Sequence, residues 1–398
     1  MTKLAERICS PVERTELERR WAAVRARMPE LALDAIVVQG SANTVGLGGY
    51  FRWFTGSSPI GNHALTVIFP KDDLMTLICH GPFHGDSGVD GDDPAFAGIG
   101  RRITTPAFPG ISYTSEFEAE LAAREIIKRG YKRVGILPHD GSYYAVLKGI
   151  EKRVSGVSLI DVSEIIDPIK AIKSDEEIKW IRRAAAMQDE VFERTRAFIK
   201  PGMRDFEVAA YSHYMSQLLG SETGYILAGS GESGEPALYR QRTQMARQMR
   251  EGDVFFWQAE NTGPGGYFVH VGRIFVLGKA SEELVDAFGQ MVEAQEYTMK
   301  LLRPGVPCRE AFEEYQAYMR GRGLPEEDRL HCHGQGYDNV ERPLIRHDET
   351  MSIAAGMNIG CHPGIVNPRM FMTVCDNFLI GEDGAERLHA TSQKIFEI

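Results

Sequence analysis

The residue types able to carry chemistry gather in four strand-like stretches of the second half of the chain. These are Gly252-Asp-Val-Phe-Phe-Trp-Gln-Ala-Glu260, Gly266-Tyr-Phe-Val-His-Val-Gly-Arg273, His331-Cys-His-Gly-Gln-Gly-Tyr-Asp338, and Gly356-Met-Asn-Ile-Gly-Cys-His-Pro363 with Met372-Thr-Val-Cys-Asp-Asn377. Strand alternation puts Gln258 and Glu260 on one face, and His270 on the face of Phe268. An inward polar group without a partner costs about 1–3 kcal/mol, so these side chains need one another or a ligand. Glu260 is the candidate general base or nucleophile, since burial raises a carboxyl pKa and a nearby imidazolium lowers it. His333, followed by Gly334-Gln335-Gly336, is the candidate proton donor, with His270 and His362 binding substrate or passing the proton. The same three histidines with Cys375 also make a nitrogen and sulfur set that suits one zinc or iron ion, with Glu260 or Gln258 orienting water. Arg240 and Arg242 follow the glycine-rich stretch 229–234 and could fork onto a substrate carboxylate. Tyr337, Trp257 and Glu341 complete the substrate-facing candidates.

These residues need a frame. Apolar positions Leu17, Trp21, Val24 and Met28 recur at helical spacing, and apolar runs at 35–38, 65–69, 75–79 and 134–137 read as strands, with a helix at 116–128. That is an α/β domain with a mixed sheet over residues 1–168. Ser174-Asp-Glu-Glu177 is a capping box ahead of the stripe Ile178, Ile181, Ala185 and Phe192, so a long helix opens a second domain, 169–398. Lys200-Pro-Gly-Met-Arg-Asp-Phe-Glu207 is echoed about 103 residues later by Arg303-Pro-Gly-Val-Pro-Cys-Arg-Glu310. Two copies of this helix exit and entry predict a duplicated α/β unit with pseudo-two-fold symmetry and a cleft along its axis.

Composition limits the partners. The 45 Lys+Arg against 55 Asp+Glu give a net charge of −10 without a basic block, which argues against nucleic acid and against an anionic membrane surface. No apolar run is long enough to span a bilayer, the first twenty residues carry no signal-like apolar core, and six scattered cysteines fit reduced thiols. A cytoplasmic protein acting on a small molecule is the expectation.

The chain resembles the creatinase, prolidase and methionine aminopeptidase family, which has the pita-bread fold. The resemblance rests on Lys170-Ala-Ile-Lys-Ser-Asp-Glu-Glu-Ile178, Glu251-Gly-Asp253, Gly266-Tyr267, His333-Gly-Gln-Gly336, Glu341-Arg-Pro343, Gly356-Met357 and Cys375-Asp376, and covers the whole chain. It implies a creatinase-type N-terminal domain, a pita-bread catalytic domain and a homodimer. It further implies that N-terminal-domain residues such as Arg52, Trp53, Phe54, His63, His80 or His84 reach a partner subunit's cleft. Peptidases of this family bind two metal ions through two aspartates, a histidine and two glutamates. Carried over, the first aspartate falls at Gln258 or Glu260, the second at His270, the histidine at His333, and the glutamates at His362 and Cys375. The family's second catalytic histidine is Val340 here. Creatinase cleaves a C–N bond without metal, but its catalytic histidine has no counterpart in Tyr239-Arg-Gln-Arg242, and its two glutamates align near Gly272 and at His362.

Three readings follow. The first is a metal-free, creatinase-like hydrolase or lyase that breaks a C–N bond of a small polar, anionic, non-peptide compound. The second keeps the fold and uses one zinc or iron ion, including Xaa-Pro peptidase-like activity. The third is a binding module without turnover.

Overall fold

The computed structural model describes residues 4–40, 49–58, 65–106 and 115–398, and the chain divides into two compact units, Met1–Lys170 and Ala171–Ile398. In the first unit α1 (Arg14–Arg27) precedes β1 (Ala35–Gly40), α2 (Gly49–Thr55), β2 (Leu65–Pro70), β3 (Met75–His80), β4 (Asp86–Gly88) and β5 (Ile99–Thr105). Then come α3 (Ser115–Arg129), β6 (Arg133–Leu137), α4 (Tyr144–Arg153), β7 (Ser158–Asp161) and α5 (Ser163–Ala171). The strands form one mixed sheet in the order β4-β5-β3-β2-β1-β6-β7. The apolar runs marked in the sequence become β1, β2, β3 and β6. Strand β5 escapes such a reading because Arg101 and Arg102 sit mid-strand. Arg101 is paired with Asp86 (2.7 Å) and with Glu125 of α3.

The second unit is a repeat. Its first half runs α6 (Asp175–Phe198), α7 (Asp205–Leu218), β8 (Gly224–Gly231), β9 (Val254–Thr262) and β10 (Phe268–Val276). Its second half opens with α8 (Glu282–Leu301) and α9 (Cys308–Gly321), then β11 (Cys332–Gly334), β12 (Glu341–Leu344) and β13 (Asn358–Cys361). It closes with β14 (Gly364–Asn367), β15 (Met370–Thr373), β16 (Asp376–Ile380), β17 (Ala385–Arg387) and β18 (Phe396–Glu397). The main sheets are β18-β10-β9-β8 and β12-β11-β13-β16-β17. The capping box forms at α6: Ser174 Oγ accepts from Glu177 N (3.3 Å), and Glu177 Oε2 accepts from Ser174 N (2.9 Å). The duplication reaches the hydrogen bonds. Gly202 N donates to Met249 O and Met249 N to Met203 O, flanking the bridge Arg204–Gln248; Gly305 N donates to Ile353 O and Ile353 N to Val306 O, flanking Pro307–Ser352.

Alternation along β9 and β10 sorts their side chains. Phe255, Trp257, Ala259, Val271 and Phe275 pack into one core with Val191, Phe192 and Val208 of α6 and α7. Phe256 and Ile274 join the other core, with Met291 of α8 and Tyr315 and Met319 of α9. Gln258, Glu260, His270 and Gly272 share the parity of Phe256 and Ile274, so they turn away from α6 and α7 toward the second half of the repeat.

Candidate active site

The site forms where β10 meets the second sheet. Gly272 and Cys375 bridge through paired backbone bonds of 3.0 and 3.3 Å, Phe268 N donates to Gly336 O (2.7 Å), and His270 N donates to Asn377 Oδ1 (2.6 Å). A Cβ on Gly272 would lie 2.6 Å from Gln258 Oε1 and 3.0 Å from Cys375 Cβ, so a side chain there would displace Gln258 and press on the neighbouring strand. Across β9 and β10, Glu260 pairs with His270 and Gln258 with Gly272; across β8 and β9, Tyr225 pairs with Glu260. His333 lies on β11 opposite Gly360 of β13, and His362 follows β13, tied by its N–H to His331 O (2.7 Å).

Among the described residues, His270, His333 and His362 place one ligand atom each within 4.8 Å of one another. Their ring centroids are 5.2–5.7 Å apart. Glu260 stands beside the trio. Its Oε1 accepts from Gln258 Nε2 (2.5 Å) and its Oε2 from Asn339 Nδ2 (2.9 Å). Asn339 Oδ1 faces His270 Nε2 at 2.9 Å, and its Nδ2 also reaches the Tyr225 hydroxyl at 3.0 Å. Gln335 Nε2 abuts His270 Nε2 and donates to Asn339 O (2.9 Å). One amide, Asn339, thus links carboxylate, phenol and imidazole.

The electrostatics follow from burial and this network. Burial pushes the Glu260 carboxyl up, but His270, the Tyr225 hydroxyl and Asn339 outweigh it, and the pKa falls below the ordinary range. Glu260 is a charged proton acceptor at neutral pH. Burial, then the charge of Glu260, drives the Tyr225 phenol up, so Tyr225 keeps its proton. Burial lowers all three imidazoles. Glu260 partly offsets this for His270, His333 falls to about 4 through burial and its neighbour His270, and His362 is held well below the ordinary histidine range by burial, His333 and His270. Three neutral rings face one another. In the resting state the proton-bearing group at the carboxylate is Tyr225, whereas a donor role for His333 would require it to be protonated in the course of the reaction.

The other candidates lie around this centre. Cys375 is fully buried, lies outside the trio, and its thiol is pushed far up by burial, Glu260 and Asp376. Glu341 pairs with Lys173 (3.2 Å) and accepts from Asp338 N (3.0 Å), fixing the loop after β11. Tyr337 is stacked on Tyr267 at 4.3 Å, and Trp257 is buried in the α6–α7 core with its indole N–H on Ser212 Oγ (3.0 Å). Arg240 and Arg242 are exposed, Arg242 lying 4.1 Å over the ring of Phe206. In the first unit Trp53 and Phe54 are core residues, Arg52 donates to Ser58 Oγ (2.7 Å), His84 lies against Phe83 at a φ of 62°, and His63 falls outside the described residues. Sequence reasoning missed Tyr225, Asn339 and Asn377. The parity that places Tyr225 opposite Glu260 needs the β8–β9 register, and Asn339 sits in a loop. Segment 331–338, strand-like in sequence, is strand only at Cys332–Gly334; beyond it Gln335 Nε2 donates to Asn339 O and Asp338 N to Glu341 Oε1, bonds that turn the chain into a loop leading to β12.

Two divalent ions and a bridging hydroxide need several anionic oxygens, and three neutral imidazoles with one carboxylate do not supply them. The residues present do not fit that pair.

Comparison with known proteins places the chain in context. The family model described as Metallopeptidase family M24 matches residues 179–385, just over half of the chain. A protein named "Probable dipeptidase PepE" from Mycobacterium tuberculosis is 26% identical over 58% of this chain and 61% of its own length. The chain thus spans about three fifths of that relative. An Xaa-Pro dipeptidase from Pyrococcus furiosus is 25% identical over 63% of this chain and 72% of its own. In structure, the prolidase of Thermococcus sibiricus superposes with a TM-score of 0.78 at 21% identity, over 96% of this chain and 99% of its own. That likeness establishes the two-domain pita-bread fold.

Proposed function

This chain belongs to metallopeptidase family M24, and from that premise and its imidazole-rich centre we propose that it hydrolyses a C–N bond of a small, polar, non-peptide compound. The observation that supports the reading is the exchange of donors. Glu260 is the sole carboxylate at the centre among the described residues; Gln258 and Asn339 donate to it, and His270, the Tyr225 hydroxyl and Asn339 together hold its pKa below the ordinary carboxyl range against burial. Glu260 takes a proton from the attacking water and returns it to the departing nitrogen as the C–N bond breaks, Tyr225 and Asn339 hold the carboxylate in place, and neutral imidazoles line the space around the reacting bond. The P. furiosus relative is named for Xaa-Pro dipeptides; here the donor set disfavours the two-ion chemistry by which family peptidases act on them.

The test is a panel of Xaa-Pro dipeptides, N-acyl amino acids and small amidino or ureido compounds, each with and without Mn²⁺. Turnover of a small C–N compound is expected, with Glu260→Gln lowering kcat ~10²–10⁴-fold. Efficient Mn²⁺-dependent cleavage of Xaa-Pro dipeptides would overturn the reading.

A further inference from the structure

The histidine trio is built more elaborately than a proton relay requires. His333 donates its Nδ1 proton to Gly334 O (2.9 Å), which leaves the lone pair on Nε2. Asn339 Nδ2 is committed to Glu260 and Tyr225, so Oδ1 is the atom that faces His270 Nε2 and places the imidazole proton there. Gln335 Nε2, packed against that nitrogen, gives its hydrogens to Asn339 O and Oδ1, and the other imidazole nitrogen, Nδ1, is buried without a hydrogen-bond partner among the described residues. Gln335 Oε1 is a second buried acceptor without a partner there. Both surround Gly360, where a Cβ would come within 3.2 Å of His270 Nδ1 and 3.0 Å of Gln335 Oε1. Two orphaned acceptors around one glycine, beside two further imidazoles, mark a place for an electron-pair acceptor. Asn339, itself held by Glu260, fixes the ring of His270, the orienting role that a hydrogen-bonded carboxylate or carbonyl oxygen plays for a ligating histidine.

We infer that His270, His333 and His362 hold one borderline divalent transition ion, zinc or ferrous iron, with Glu260 as the neighbouring counter-charge. Nitrogen donors select such an ion over Mg²⁺, Ca²⁺ or Mn²⁺, which prefer carboxylate and water oxygen. When bound, the ion supplies Lewis acidity toward the attacked group. The inference rests on reading this cluster as the reactive centre, and it ranks the single-ion alternative above the metal-free expectation drawn from sequence.

The experiment is a Co²⁺ titration of the chelator-treated full chain, followed by visible d–d absorption, with elemental analysis of protein purified without added metal. One equivalent per chain is expected, with absorption lost in His333→Ala and His362→Ala, and affinity lowered ~10–100-fold in Asn339→Ala. The wild-type titration stands even if a variant misfolds. No absorption, two equivalents, or equal binding of Mg²⁺ overturns the inference. A metal-free chain whose turnover still fails in Glu260→Gln would sink the ion and keep the hydrolase; one bound ion with turnover indifferent to Glu260 would do the reverse.

Discussion

At the scale of single residues the site turns on Asn339, which spans Glu260, His270 and Tyr225 with one amide group. Asn339→Asp places a second carboxylate beside Glu260, and like charges at that distance drive one of them to keep its proton. The expected outcome is a kcat loss of ~10-fold or more with KM little changed, and steady-state kinetics checks it. A KM effect alone would assign Asn339 to substrate binding. Glu260 and the three histidines stand out in sequence because charged or titratable residues on apolar strands are conspicuous. Asn339 does not, since an asparagine in a Gly-Tyr-Asp-Asn loop looks like turn chemistry.

Elements set whether those residues meet. Gly263 begins the turn between β9 and β10, and a Cβ there would lie 2.4 Å from Ala184 Cα and Cβ on α6. Gly263→Ala therefore pushes the hairpin off its helix at a cost of ~1–3 kcal/mol, read as a lower denaturant midpoint. Ser174→Ala removes one half of the α6 capping box and is expected to cost ~1 kcal/mol by the same measurement. The capping box was readable because its partners are three residues apart. The β9–β10 register, which sets Glu260 against His270, was not, because a one-residue slip leaves the same apolar pattern with every side chain on the other face.

For the molecule as a whole, buried ionisable groups set how stability responds to mutation and to pH. Arg273 and Asp376 form a fully buried pair at 2.7 Å, with Arg273 also donating to the carbonyls of Gly272, Cys375, Thr391 and Ser392. Asp376→Ala leaves that guanidinium without its counter-charge, at an expected ~3–5 kcal/mol in denaturant unfolding. In the first unit Glu118 is buried against Thr66, and burial lifts its carboxyl from 4.5 to about 7. A raised carboxyl binds its proton more tightly folded than unfolded. Its contribution is complete below pH ~4.5 and is lost as pH rises to about 7, by ~3 kcal/mol. Glu118→Gln should flatten that slope between pH 5 and 8, and an unchanged slope would refute the assignment. Strand and helix periodicity and the capping box, which arise between residues close along the chain, determined the α/β units, and the recurrence of one such local signal at 200–207 and 303–310 determined the duplication. Which donors converge, and that Cys375 stays out of a trio that Tyr225 and Asn339 support, was decided only when strands from both halves of the repeat came together. That convergence depends on register and on glycine-permitted approach at Gly272 and Gly360, and neither leaves a mark in local sequence.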